Sequence, residues 1–172
     1  MADTKLANTN LVPPVNAGKT AITDDKLFEI IELLFFAYRD FVSDPDEILT
    51  QYQFGRAHHR VLHFVNRNPG LRISELLDIL KITKQSLGRV LRQLIEDGFV
   101  EQREGSSDRR QRLLFLTDAG SDLAQRLAEP QLRRIAGALK SAGPGNAALA
   151  RDFLYSLVND QEHTKVRAII EK

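Results

Sequence analysis

Two helical patterns separated by only two residues restrict the folds open to this 172-residue chain more than any other feature. From Leu71 to Leu116 the chain reads LRISELLDILKITKQSLGRVLRQLIEDGFVEQREGSSDRRQRLLFL. Ile73, Leu76, Leu77 and Leu80 recur at helical spacing. A second pattern opens at Thr83, where Leu87, Val90, Leu91, Leu94 and Ile95 fall at i, i+3, i+4, i+7 and i+8. Helices joined by Lys81-Ile82 alone must turn sharply against one another, which predicts a helix-turn-helix.

The second helix carries a distinct outward face. Lys84, Gln85, Gly88, Arg89 and Arg92 lie opposite the apolar stripe, with Ser86 at its flank. Thr83 suits the N-cap, where its hydroxyl accepts from an unpaired backbone N–H. Lys84 in the first turn opposes the helix dipole, a cost that an anionic partner such as phosphate would reverse. Gly88 in mid-helix costs up to about 1 kcal/mol relative to alanine, which points to close approach by another molecule. A solvated helix face is the plain alternative.

Beyond the helix, Gly98 fits the C′ position and Phe99–Glu104 alternates as a strand does. Gly105-Ser106-Ser107-Asp108 has turn chemistry, and Arg109–Leu116 returns as a second strand. The resulting hairpin carries Arg109, Arg110 and Arg112. A basic helix suited to the major groove, beside an arginine-bearing hairpin suited to phosphates or the minor groove, forms a coherent DNA-reading device.

Asp108-Arg109-Arg110, followed by Leu116-Thr117 and Gly120, resembles the D-x-R…L-T-x-x-G wing signature of the MarR family of winged-helix regulators. Residues 85–91 and Gly98-Phe99-Val100-Glu101 are similar to that family's recognition helix and its exit, and the resemblance extends over nearly all the chain beyond Thr20. It implies a homodimer, usually a transcriptional repressor, bound to a pseudo-palindromic operator in double-stranded DNA. It also implies that Arg110 is the wing arginine at the minor groove, that Asp108 orients it, and that Arg89 is the basic residue of the exposed recognition face. The expected DNA-binding set is Thr83, Lys84, Gln85, Ser86, Arg89 and Arg92 on the helix. Ser106, Ser107, Asp108, Arg109, Arg110 and Arg112 complete it on the wing. Gly88 and Gln111 depart from the commoner hydroxylated and small residues, which bears on operator sequence rather than on fold.

Charge is segregated along the chain. The formal net charge is only +1, but residues 55–112 hold 12 Lys and Arg against 7 Asp and Glu, a local +5 that leaves −4 elsewhere. Absence of cysteine excludes disulfides, cysteine zinc sites and thiol sensing, and fits a cytoplasmic location. No apolar run approaches the roughly 20 residues of a membrane span, and the first residues lack the form of a secretory signal.

The expected class is mainly α with a small β-hairpin wing: a winged helix-turn-helix over 55–117 between helical dimerisation segments at 21–54 and 118–172. Residues 1–20 form a polar, Pro-containing arm. A helix from Thr23 to about Ser43 presents Leu27, Ile30, Ile31, Leu34, Phe35, Tyr38 and Phe41, widened by Phe28 and Phe36, which suits a dimer interface. Pro130 should kink the helix that Thr117 caps. A final helix over about 147–170 ends in Val166, Ile169 and Ile170, which a partner subunit would cover.

Three of the four histidines, His58, His59 and His63, share one segment. His59 and His63 stand at i, i+4, a spacing able to hold a metal, although a packed or pocket-lining role is the simpler reading. Zinc sensing through that pair is one alternative function, and a protein-interaction module is another. A small-molecule effector pocket is expected near Phe35, Tyr38, Arg39, His59 and His63. No cofactor, metal site or membrane partner is expected. Enzyme chemistry lacks its usual constellations: there is no Ser-His-Asp set, phosphate loop or paired carboxylates.

Overall fold

The computed structural model describes residues 22–105 and 111–171. Residues 1–20 of the expected arm, together with Ser106, Ser107, Asp108, Arg109 and Arg110 of the expected wing, lie outside them. The chain divides between Ala37 and Tyr38 into two compact units. Helix α1 (Asp24–Ser43) begins in the first with Asp24 and Asp25 at its positive end and buries none of its residues.

In the second unit, helices α2 (Asp46–Gln51), α3 (Arg56–Arg67), α4 (Ile73–Leu80) and α5 (Lys84–Glu96) surround one apolar core with a small sheet. Strands β1 (Leu71–Arg72), β2 (Val100–Glu104) and β3 (Arg112–Leu116) pair antiparallel in the order β1-β3-β2. The expected α-rich winged helix is what the chain forms. Val61, Leu62, Leu76, Leu94 and Leu114 are fully enclosed in its core. Each such aliphatic side chain contributes roughly 1.5–3 kcal/mol of transfer free energy.

Sharp local chemistry fixes the boundaries. Lys81 adopts φ 51°, the left-handed turn that ends α4, and Thr83 then caps α5 by accepting from the Ser86 N–H at 3.1 Å. Gly98 takes φ 76° and lets the chain leave α5 directly into β2. Helix α6 (Asp118–Ala142) starts at Thr117, whose Oγ1 accepts from Gly120 N at 3.0 Å and donates to the Gly98 carbonyl at 2.7 Å. Gly120 is indispensable there, because a Cβ would lie 2.0 Å from the Phe99 carbonyl oxygen. The L-T-x-x-G segment thus clamps the base of the hairpin to α6. Leu123, Ala124 and Leu127 carry the same core into that helix.

In the C-terminal region Pro130 stays inside a helix, and the final helix differs from expectation. Helix α6 continues through Pro130 as one 25-residue element, although the missing N–H withdraws one donor from the ladder. The single final helix breaks into α7 (Asn146–Ser156), a 3-10 turn (Asp160–Glu162) and α8 (His163–Ile170). Asn159 is extended at ψ 136°, and the break is closed by Tyr155, which stacks on His163 at 4.5 Å and donates to its carbonyl at 3.0 Å. Helix α8 then meets α4 of its own chain through side chains. Lys81 pairs with Glu162 at 3.1 Å and Lys165 with Asp78, while Val166 and Ile169 share a cavity with Phe64 and Ile79. Part of the apolar surface expected to need a partner subunit is therefore covered internally. The exposed remainder includes Ile170 of α8, Leu132 and Ile135 of α6, Leu149, Phe153 and Leu154 of α7 with neighbouring Leu157, and the apolar side chains of α1.

Candidate nucleic-acid interface

Helix α5 turns Leu87, Val90, Leu91 and Leu94 into the core. With a period of 3.6 residues, that commitment sends Lys84, Gln85, Gly88, Arg89 and Arg92 outward, and all of them are exposed. Ser86 is half-buried beside its cap partner Thr83, whose hydroxyl also donates to the Ser86 Oγ at 2.9 Å. Lys84 to Arg92 spans two turns, about 12 Å along the axis. Among the described residues no carboxylate lies within ion-pair distance of Lys84, Arg89 or Arg92.

Several cations elsewhere on the winged helix are paired with carboxylates, whereas Arg60 and Arg67 of α3 have no carboxylate partner among the described residues. Arg56 is bidentate on Asp46, Lys81 pairs with Asp78 at 2.9 Å, and Arg103 pairs with Glu101 and lies over the Phe115 ring at 4.3 Å. Arg112 of the expected DNA-binding set is also held, 3.0 Å from Glu104 across the β2–β3 ladder. An exposed ion pair of this kind is worth at most about 1 kcal/mol, so phosphate can compete for either arginine. Three cations without carboxylate partners among the described residues thus gather on the outward face of α5, next to a hairpin whose base is fixed to α6.

A second feature is a cavity of about 240 Å³ lined by Tyr38, Phe41, Val42, Arg56, His59, Arg60, His63, Phe64 and Gln131. Arg56, His59, Arg60 and His63 stand at i, i+3, i+4 and i+7 of α3, one polar stripe facing one hollow. Arg60 donates to the Tyr38 hydroxyl at 3.0 Å. Burial, then the neighbouring His63 and Arg60, pull the His59 pKa down from 6.5 to about 4. His63 is lowered chiefly by burial and then by Arg67. Asp46 sits below the usual carboxylate range because Arg56 hydrogen-bonds its charged form.

Of the expected effector residues, Tyr38, His59 and His63 line this cavity. Arg39 is paired with Asp40 at 2.7 Å, and Phe35 is 69% exposed; neither is part of the lining. Phe41, Val42, Arg56, Arg60, Phe64 and Gln131 were not expected there. The α3 stripe itself was the available signal for the two arginines. The His59 and His63 rings lie 6.4 Å apart, and no group of three or more His, Cys, Asp or Glu able to hold a metal occurs among the described residues. His58 instead stacks on Phe54 at 4.7 Å and bonds Gln93 at 2.9 Å.

Comparison with known proteins agrees with this architecture. Residues 52–111 match the model of the MarR family. The chain is 49% identical over 138 residues to the HTH-type transcriptional regulator PetP of Rhodobacter capsulatus, covering 80% of this chain and 83% of that protein. Its fold is similar to that of a Listeria monocytogenes chain assigned to the MarR family and crystallised with a 26mer DNA. There the TM-score is 0.64 at 20% identity, over 74% of this chain and 85% of that one. It is also similar to NadR in complex with 4-hydroxyphenylacetate, with a TM-score of 0.59 at 24% identity over 84% and 97% of the two chains. No helix among the described residues is long and apolar enough to cross a membrane. The chain belongs to the MarR family of transcriptional regulators, proteins that control transcription rather than catalyse a reaction.

Proposed function

We propose that the protein is a homodimeric, ligand-responsive repressor that reads a pseudo-palindromic operator with α5 and grips the flanking DNA with the hairpin. The observation that carries this reading is the set of uncompensated cations Lys84, Arg89 and Arg92 on the outward face of α5. Three cations without carboxylate partners, gathered on one face within about two turns of a helix, suit a polyanion. Residues 55–117 act as the DNA-binding lobe, while 21–54 and 118–172 supply the dimerisation lobe. The exposed apolar side chains of α1 and α7 support the second role. Duplex DNA as partner sets the site of action in the cytoplasm.

Two-fold symmetry places the half-sites about one helical turn, roughly 10 bp, apart. Selection from a random duplex pool is the direct test, and a palindrome at that spacing is expected. Recovery of no preferred sequence would remove the reading. Arg89→Ala should relax preference at one base position and weaken binding by about 10- to 100-fold. Arg110→Ala should weaken all sequences alike and lower the salt slope by about one.

The cavity beside α3 is the effector site in this reading. Its aromatic wall and its Arg56, Arg60 and His59 edge suit a small organic acid, and NadR is a relative of the same fold crystallised with 4-hydroxyphenylacetate. An anion bound there favours protonated His59, so affinity should rise as pH falls from 7 toward His59's pKa of about 4, as long as the acid stays ionised. Calorimetric titration with aromatic carboxylates at two pH values measures this directly.

A further inference from the structure

Gly88 lies in the middle of the 13-residue α5, yet nothing in the fold asks for a glycine there. Its φ is not among the positive values that glycine alone adopts easily, and a Cβ added to it would meet no atom within 4 Å. Gly120 shows the opposite case, where a Cβ would strike the backbone. Glycine inside a helix lowers its stability relative to alanine. At Gly88 the fold bears that cost without an internal reason.

The surroundings of Gly88 indicate what would make use of the missing side chain. Lys84 and Arg92 stand one turn to either side, both exposed and without carboxylate partners among the described residues. Together these three positions border an open groove of about 410 Å³, floored by Leu87, Leu91 and Ile95, with Glu96 at one end. Cations on the rim attract phosphates, while an apolar floor with a carboxylate disfavours them inside the groove. The group that fits is an uncharged apolar edge carried between two phosphate strands. On the floor of the DNA major groove that description matches the C5-methyl of thymine.

We propose that Gly88 is a specificity-determining position, the point where α5 comes close enough to seat a thymine methyl against bare backbone and the apolar groove beside it. This rests on the DNA-reading role of α5 given above. An alanine methyl would occupy the same space and push the base edge outward, since carbon atoms approach no closer than about 3.5–4.0 Å.

The test uses the full-length protein, its Gly88→Ala variant and the selected operator, with each half-site thymine replaced in turn by uracil, which removes only the methyl. Wild type should lose at least threefold in affinity at one symmetry-related thymine. Gly88→Ala should melt at a higher temperature than wild type, bind the operator at least tenfold more weakly, and show no further loss at that uracil. A structural role would move melting and binding in the same direction. Binding of Gly88→Ala within twofold of wild type overturns the inference, as does a flat uracil scan of the wild-type protein. If wild type itself selects no sequence, the DNA reading falls instead, and the two failures are distinguishable.

Discussion

Helices α5 and α1 begin from the same design, an apolar stripe on an amphipathic helix, and end in opposite states. Helix α5 buries Leu87, Val90, Leu91 and Leu94. The longer and more apolar α1 buries none of its residues, with Phe28 64% and Phe35 69% exposed. The difference lies in what stands around each stripe. Helices α3 and α4 and strand β2 share one core with α5, so its leftover surface is charge. The leftover surface of α1 is hydrocarbon. An apolar stripe therefore states that something must cover it, and only the packing around it decides whether that cover comes from the same chain. In the function proposed above, one leftover surface meets a polyanion and the other a second copy.

The sharpest way to break this contrast is to truncate each stripe. Leu94, with 0% exposure, should cost about 2–5 kcal/mol of unfolding free energy when replaced by alanine, read from denaturant melts. A loss below about 1 kcal/mol would mean that α5 is not held by its buried face. On α1, the double change Phe28→Ser and Phe35→Ser should act on association. Sedimentation equilibrium should show the dimer dissociation constant rising at least tenfold, about 1.4 kcal/mol or more. An unchanged constant would place the subunit contact elsewhere.

Next in size is Thr117→Ala at the join of wing and α6, expected to cost about 1 kcal/mol through loss of the cap. The smallest effect is pH-dependent. His59 is held neutral by burial down to about 4, whereas the unfolded chain protonates it near 6.5. The unfolded state binds more protons in that window, so stability falls as pH drops from 6.5 toward 4. His59→Gln should shallow the slope between pH 7 and 5, and an identical slope would assign the effect to other groups.

Much of this was readable in the residues, because the decisive signals were local. Thr83, Gly98, Thr117 and the i, i+3, i+4 leucines each set one boundary by chemistry within a few positions, and each stands where the spacing put it. The C-terminal helix departs from its sequence pattern for the complementary reason. Residues 147–170 keep a helical apolar pattern, but Tyr155, His163 and the charged contacts to α4 fold the segment back, and those contacts span up to 87 positions. Part of the cavity beside α3 was invisible in the same way. Phe41, Phe64 and Gln131 lie far apart in sequence, and only packing gathers them.

The ion pairs from Asp78 and Lys81 to α8 have a bearing on how this protein responds to salt. Lys81 occupies the turn of the helix-turn-helix and shares its charge with Glu162, and Asp78 one turn earlier holds Lys165. Exposed pairs like these are screened at the ionic strengths that strip phosphate contacts from a nucleic-acid-binding face. Raising electrolyte concentration thus loosens the tail from the reading head while it weakens the grip on the duplex. A bulk binding curve would count ions released at α8 among the backbone contacts only if duplex binding itself separated α8 from α4.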